Sequence, residues 1–438
     1  MNHTQIFRVL FRSWISERRG SMIKKISVFF GFSGLVLVLV LSSSRPALAA
    51  NLFVDDDSVE CPEAEFTIIQ DAIDEADPGD SIRVCPGTYD EQIIISKPLR
   101  IIGPLSNSAV VKPLGMTANT TNRVNGIPIA AVVLVRGTTD VTIRRLTIDG
   151  INNGITDCEP TLVGIFYRNA SGEIREVAIR NMILGVGLEG CQSGLGIFAQ
   201  KPVGAGRVRE VRVVNSNIHD YQKNGITGNE PGIRIQATGN VVTGIGPTSG
   251  AAQNGIQIGF GATGEIEENM VINHIWSPCV SVSECGFVAA GLLIVDTDNV
   301  SILGNTVGKN QCGICLSSPL SSGIDDGQVN DSQVIGNTVF DTDVFDGIAL
   351  TGNNNEVRLN TITNSDRAAI FLQGDNNSVR TNNINEALIG VLEATGSEGN
   401  VIVENHFVNT PTPVQGPAGK AERTAVRRVE GGSIVPFR

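Results

Sequence analysis

Phe66–Gly103 reads FTIIQDAIDEADPGDSIRVCPGTYDEQIIISKPLRIIG, and this stretch decides the fold. Phe66, Ile69, Ala72, Ile73 and Ala76 recur at three or four residues, which puts an apolar stripe on one face of a helix. Asp77-Pro78-Gly79-Asp80 stops that helix, because proline lacks the N–H and glycine accepts the turn. The apolar period then becomes two, in Ile82/Val84, Ile93/Ile95 and Leu99/Ile101, as in half-buried strands. Pro86-Gly87 and Lys97-Pro98 break the strands into short pieces. A short helix followed by brief strands at near-regular intervals suggests one side of a stack that continues.

Downstream, the continuation is visible as a repeat. A small residue opens an apolar strand at Gly164-Ile-Phe-Tyr, Gly232-Ile-Arg-Ile, Gly255-Ile-Gln-Ile and Gly291-Leu-Leu-Ile. The same pattern returns at Gly313-Ile-Cys-Leu, Gly347-Ile-Ala-Leu, Ala369-Ile-Phe-Leu and Gly390-Val-Leu-Glu. The steps 232 to 255, 291 to 313, 347 to 369 and 369 to 390 are 23, 22, 22 and 21 residues. Asparagine before a short apolar pair is a second marker, at Asn240, Asn305, Asn337, Asn360, Asn383 and Asn405. Short strands at this period without helices are the mark of a β-solenoid. Asparagines recurring at a corner can stack as an amide ladder. The longer steps 255 to 291 and 313 to 347 place insertions in Asn273–Val288 and Ser317–Asp331. Gly185–Gly206 and Asn122–Ile129 break the register as well.

The order IQ-AI–A–GD-I-V-PG-Y-E-I-I-K-L-I-G in 69–103 resembles the N-terminal cap and first turns of the right-handed parallel β-helix proteins, the pectin-lyase-like fold. The resemblance implies an all-β, single-stranded right-handed parallel β-helix over residues 50–410 with an N-terminal capping helix. An irregular tail, 411–438, follows. Families of this fold include polysaccharide lyases, galacturonidases, epimerases and esterases, so the resemblance implies a carbohydrate-active or carbohydrate-binding protein. A non-catalytic envelope or adhesive module is the alternative it leaves open.

Residues 1–49 read as a secretory signal peptide: Lys24-Lys25, the apolar run Val28–Leu41 and the small-residue end Ala47-Leu48-Ala49-Ala50. Met22 could itself start such a signal, which would make 1–21 a start-site artefact. The apolar run has 14 residues, short of the roughly 20 that span a bilayer, so no stable membrane span is expected after cleavage. Without 1–49, which holds seven Lys+Arg and one Asp+Glu, the net charge moves from −12 to −18. Such a surface excludes nucleic acid as a partner and repels anionic polysaccharide everywhere except at a local basic groove. A secreted, periplasmic or cell-surface monomer that binds a polysaccharide or cell-surface glycan is expected.

All 8 cysteines follow the signal, an even count that suits disulfides in an oxidising compartment. The expected bridges are Cys61–Cys85 around the cap helix, Cys158–Cys191, and Cys279–Cys285 within one insertion. Cys312 and Cys315 point to opposite faces of a regular strand, so a bridge between them needs a turn or bulge. The four central cysteines could instead bind zinc.

No catalytic motif is complete. If isoleucines of the Gly-Ile-x-Ile strands point inward, the outward row is Phe166, Arg168, Arg234, Gln236, Gln257, Leu293, Cys315, Ala349, Phe371 and Gln373. Arg168, Arg234, Gln236 and Gln257 are the expected sugar-binding residues, with Trp276 as a platform beside His274. This row offers no carboxylate pair for hydrolysis. His219, Asp220, Tyr221 and Lys223 form the densest titratable cluster, with His219 as base, Asp220 orienting it, and Tyr221 or Lys223 as proton donor. Calcium is possible at the loop carboxylates Asp325, Asp326, Asp341, Asp343 and Asp346, which lack EF-hand spacing.

Overall fold

A computed structural model describes residues 49–204, 206–279, 281, 285–316, 328–416 and 433–434. The expected signal peptide and most of the expected tail lie outside the described residues. So do residues 317–327, with Asp325 and Asp326. No helix among the described residues is long and apolar enough to cross a membrane.

The cap helix spans Ile69–Glu75 and buries Ile69, Ala72 and Ile73. It lacks a capping side chain of its own. Glu91, from the first turn, supplies one: its carboxylate accepts from the amides of Ile69 and Gln70 at 2.7 and 2.8 Å. The chain then coils into three faces. One is a 13-stranded sheet running from Asn51–Val54 to Val401–Val403. The other two are parallel tracks of the 23-stranded sheet. One track carries Asn217–His219, Val241–Thr248, Met270–Trp276 and Thr306–Asn310; the other carries Asn224–Asn229, Asn254–Gly259, Ala290–Val295 and Cys312–Leu316. Every described ladder is parallel except Thr120–Thr121 against Pro128–Arg136.

Stacking keeps like residues above like, which is why the repeat shows in the sequence. Ile226, Ile256, Leu292, Ile314, Ile348, Ile370 and Val391 pair in succession and fill the interior. Asn240, Asn269, Asn305, Asn337, Asn360, Asn382 and Asn405 form the corner ladder. Asn382 rather than Asn383 holds its rung, and Asn269 adds one that the spacing did not mark. A residue with left-handed backbone precedes each rung, whether glycine (Gly304, φ 63°) or not (Leu359, φ 58°). A second ladder runs through Ser332, Asn355, Asn377 and Asn400.

One part of the repeat reads differently in space. Gly232-Ile-Arg-Ile belongs to the 13-stranded sheet, where Ile233–Thr238 pairs with Arg209–Val214. The true partner of the Gly255 strand is Asn224–Asn229. Turn lengths in this region are therefore about 30 residues: Ile197 to Ile226 is 29 and Ile226 to Ile256 is 30. Past the expected boundary at 410, Thr412–Gln415 still pairs with the Asn383–Glu393 strand, and Ser433–Ile434 pairs with Phe287–Val288.

All three expected disulfides are present, and Cys312–Cys315 is a fourth. Zinc at the central four is thereby excluded, because the thiolates it requires are consumed. Along the strand Cys312, Ile314 and Cys315 keep a constant register with Ala290, Leu292 and Leu293. The Cα atoms of the bridged pair stand 6.3 Å apart.

Candidate functional site

The outer side of the glycine-opened track is where the sequence places a binding face, and its character changes along the stack. At the N-terminal end Phe166 and Phe198 stack at 4.8 Å, beside Leu134 and beneath Ile129, Ala131, Val163 and Leu195. Next come Thr227 and Gln257, wholly buried, in an amide network with Asn224 and Asn229. Leu293 and Cys315 follow, packed under Trp276, Val288, Phe345 and the Cys279–Cys285 bridge. The last turns open to solvent. There Gln328, Thr351, Asn353, Gln373, Asp375 and Ser397 line a polar cleft of ≈ 260 Å³.

Several expected binding residues are therefore not presented together. Gln257 points outward, yet it is wholly buried. Arg234 and Gln236 sit on the 13-stranded sheet, because their strand belongs there, and Arg234 pairs with Glu265 at 2.5 Å. Trp276 ends a sheet strand rather than standing in a loop. Its indole N–H donates to Gly250 O at 3.0 Å and its ring meets Phe287 edge-on at 5.2 Å.

The titratable cluster divides in the same way. His219 and Asp220 reach solvent, with Nδ1 and Oδ2 2.7 Å apart. Tyr221 points into the core, where its hydroxyl bonds His274 Nε2 two turns away. Lys223 is buried, donates to Ala252 O at 2.6 Å, and is pushed down to about 7 by desolvation. His274 belongs to the interior as well, with Nδ1 2.8 Å from Asn310 Oδ1; burial lowers it to about 4. Only His219 and Asp220 meet as a surface pair.

Of the carboxylates considered for calcium, Asp346 is buried against Arg367, and Asp341 accepts from Asn364 at 2.8 Å. Asp343 is raised by burial and by Asp366, which hydrogen-bonds it from the next turn. Asp366 is a partner the sequence did not flag. Arg367 also lies over Phe371, 4.9 Å from the ring centroid.

Arg168 stands among other cations. It pairs in register with Arg136 on one side and Gln200 on the other. Its Nε donates to Thr121 O at 3.2 Å, and Arg123 N donates to Gln200 Oε1 at 2.8 Å. Desolvation, then Arg123 and Arg136, lower the Arg168 guanidinium from its usual value. Lys201 and Arg209 adjoin: Lys201 is lowered by burial and by Arg209, whose Nε donates to Asn169 Oδ1 at 3.3 Å. None of Arg123, Arg136, Arg168, Lys201, Arg207 and Arg209 forms an ion pair among the described residues. The charged rows elsewhere, such as Arg144–Glu176, Arg175–Glu173 and Arg180–Asp149, are paired.

Comparison with known proteins supports the coil geometry. The chain is a right-handed parallel β-helix protein. Residues 210–420 match the family described as "NosD: Periplasmic copper-binding protein (NosD)". No curated protein matches. Three solved structures show the same fold. The Azotobacter vinelandii mannuronan C-5 epimerase AlgE4 A-module is 14% identical, with TM-score 0.55, over 84% of this chain and 94% of its own. The GH136 lacto-N-biosidase from Eubacterium ramulus is 16% identical, with TM-score 0.57, over 82% of this chain and 68% of its own. The Streptococcus pneumoniae surface protein and adhesin PfbA is 14% identical, with TM-score 0.54, over 80% and 94%. With four disulfides and no free cysteine among the described residues, this β-helix is an exported protein of the periplasm, cell surface or exterior.

Proposed function

We propose that the protein binds an anionic glycan through the basic corner of Arg123, Arg136 and Arg168, extended by Lys201 and Arg209. The observation that carries this reading is a cluster of cations without ion-pair partners among the described residues, on a chain of net charge −12, or −18 without residues 1–49. Keeping like charges together costs free energy, which a bound carboxylate or sulfate offsets with charge-assisted, bidentate hydrogen bonds. The remaining acidic surface would repel such a polymer and so orient it toward this corner. One structural neighbour is named for mannuronan and another is an adhesin, which supports a glycan or surface role.

Binding of a polyuronate and of a neutral glucan to the mature protein tests the reading. Polyuronate binding should weaken as salt rises. It should fall about tenfold or more in the Arg136→Glu/Arg168→Glu variant, equivalent to about 1.4 kcal/mol. Equal binding of both polymers, or binding indifferent to that variant, contradicts it.

A catalytic reading rests on the His219–Asp220 pair, where His219 would be the base of a lyase or epimerase. Its measurement is unsaturated-product absorbance on the same polyuronate, lost in His219→Ala. Glycosidase chemistry at Asp343 and Asp366 has less support. Two carboxyls in hydrogen-bond contact lie closer than the roughly 5 to 9.5 Å such enzymes need for nucleophile or water.

A further inference from the structure

The four carboxylates of Asp55, Asp56, Asp57 and Glu60 converge beside the cap. One oxygen from each lies within 4.8 Å of all the others. No lysine or arginine pairs with any of the four among the described residues, whereas Arg144–Glu176, Arg175–Glu173 and Arg180–Asp149 on the coil are paired. Asp55 is wholly buried. Its Oδ2 accepts from Cys61 N at 2.8 Å, while its Oδ1, equally buried, has no hydrogen-bond partner. An ionised carboxylate oxygen withdrawn from water without a partner is costly, so this position calls for a cation.

The surroundings hold the other oxygens in place. Asp56 Oδ2 accepts from Thr88 N at 2.8 Å, and Asp57 Oδ1 accepts from Val59 N at 2.9 Å. Asp56 packs onto Gly87 so closely that a Cβ there would fall 2.1 Å from Oδ1. The Cys61–Cys85 bridge joins the end of this loop to the first turn.

We infer that Asp55, Asp56, Asp57 and Glu60 form a calcium site that locks the N-terminal cap onto the solenoid. Calcium takes oxygen ligands at 2.3 to 2.6 Å, so two ligands on opposite sides of one ion stand about 4.8 Å apart. The cluster fits inside that limit. Oxygen-only ligands of adaptable geometry favour calcium over zinc or copper, and a carboxylate-rich set suits calcium better than magnesium, which keeps its waters. This site is separate from the basic corner and independent of any glycan.

Thermal unfolding of the mature, disulfide-intact protein tests it, in EGTA and then in rising calcium or magnesium chloride. An ion that binds only the folded state raises Tm continuously with concentration. Calcium is expected to raise Tm by several degrees, and magnesium by less. Asp55→Asn should abolish the shift. Since Asp55 is buried, the exposed double variant Asp57→Asn/Glu60→Gln guards against misfolding and should weaken calcium binding at least tenfold by titration calorimetry. Tm unchanged by calcium, a magnesium shift as large as the calcium shift, or undiminished calcium affinity in the double variant overturns the assignment.

Discussion

The turns around Ile256 and those around Ile370 share three strands per coil, yet they solve different problems. From Ile256 to Leu292 the coil takes 36 residues; from Ile348 to Ile370 and from Ile370 to Val391 it takes 22 and 21. The short turns are pared to what stacking needs, and their outer positions, Ala349 and Phe371, remain partly open. Longer turns spend their extra residues covering the outside, so Gln257 and Leu293 are as buried as the core. The interior differs too. His274, Asn310, Thr342, Ser365 and Ala387 occupy one register position, shrinking toward the C-terminus. Tyr221 reaches His274 past the intervening turn, where Gly244 leaves room: a Cβ there would lie 2.9 Å from the imidazole. The longer turns thus host larger buried polar side chains at this position than the minimal turns do.

The comparison breaks first if the two regions do not share one core. Ile256→Asp and Ile348→Asp should both cost several kcal/mol in denaturant unfolding, since each buries an unpaired charge. A mild loss at either would place that residue outside the core. Acid separates the regions next. His274 titrates near 4 in the fold against 6.5 when unfolded, so the unfolded chain binds more protons between those values. Stability is fully present above pH 6.5 and falls by roughly 3 kcal/mol toward pH 4. His274→Asn, which prolongs the asparagine below it, should lack this component; identical pH slopes for the two proteins would deny it.

Outward positions sharpen the contrast further. Gln257→Ala removes one buried hydrogen bond each from Asn224 and Asn229 and should cost about 1 to 3 kcal/mol. Ala349→Ser should stay within about 0.5 kcal/mol. Equal effects would mean that the covering of the long turns contributes nothing. Least of all, Leu359→Gly should raise stability by under about 1 kcal/mol. It relieves a left-handed backbone costing roughly 1–2 kcal/mol in exchange for glycine's greater chain entropy. A lower Tm for that variant would show that the Leu359 side chain, half exposed, packs more than its setting implies.

Much of the short-turn region was legible in the sequence, because stacking demands the same residue type at the same place each turn. The cap, the Gly-Ile row and the asparagine corner all follow from that rule. Gly232 misleads because Gly-Ile-Arg-Ile looks the same on any face, and only pairing assigns it to the 13-stranded sheet. The real member, Gly225-Ile-Thr-Gly, hides because its outward and following positions are small and polar. Burial of Gln257 could not be read, since residues distant in sequence cover it. Nor could the basic corner be assembled from Arg123, Arg136 and Arg168: 45 residues of chain separate its ends, register joins Arg136 to Arg168, and a hydrogen bond to Gln200 brings in Arg123. Asp55 lay in plain view within an acidic run, but its burial did not.

The asparagine ladder has a direction. Each Oδ1 accepts both the backbone and the side-chain N–H of the rung before it, as Asn337 Oδ1 does from Asn305 at 2.8 and 2.9 Å. All the amide dipoles therefore point the same way along the corner, and each polarises the next. Such a chain behaves like a row of magnets laid head to tail. Removing Asn405 shortens the row; removing Asn337 cuts it into two weaker ones. Equal chemical changes should weigh more at mid-stack than at the end, although every rung looks alike.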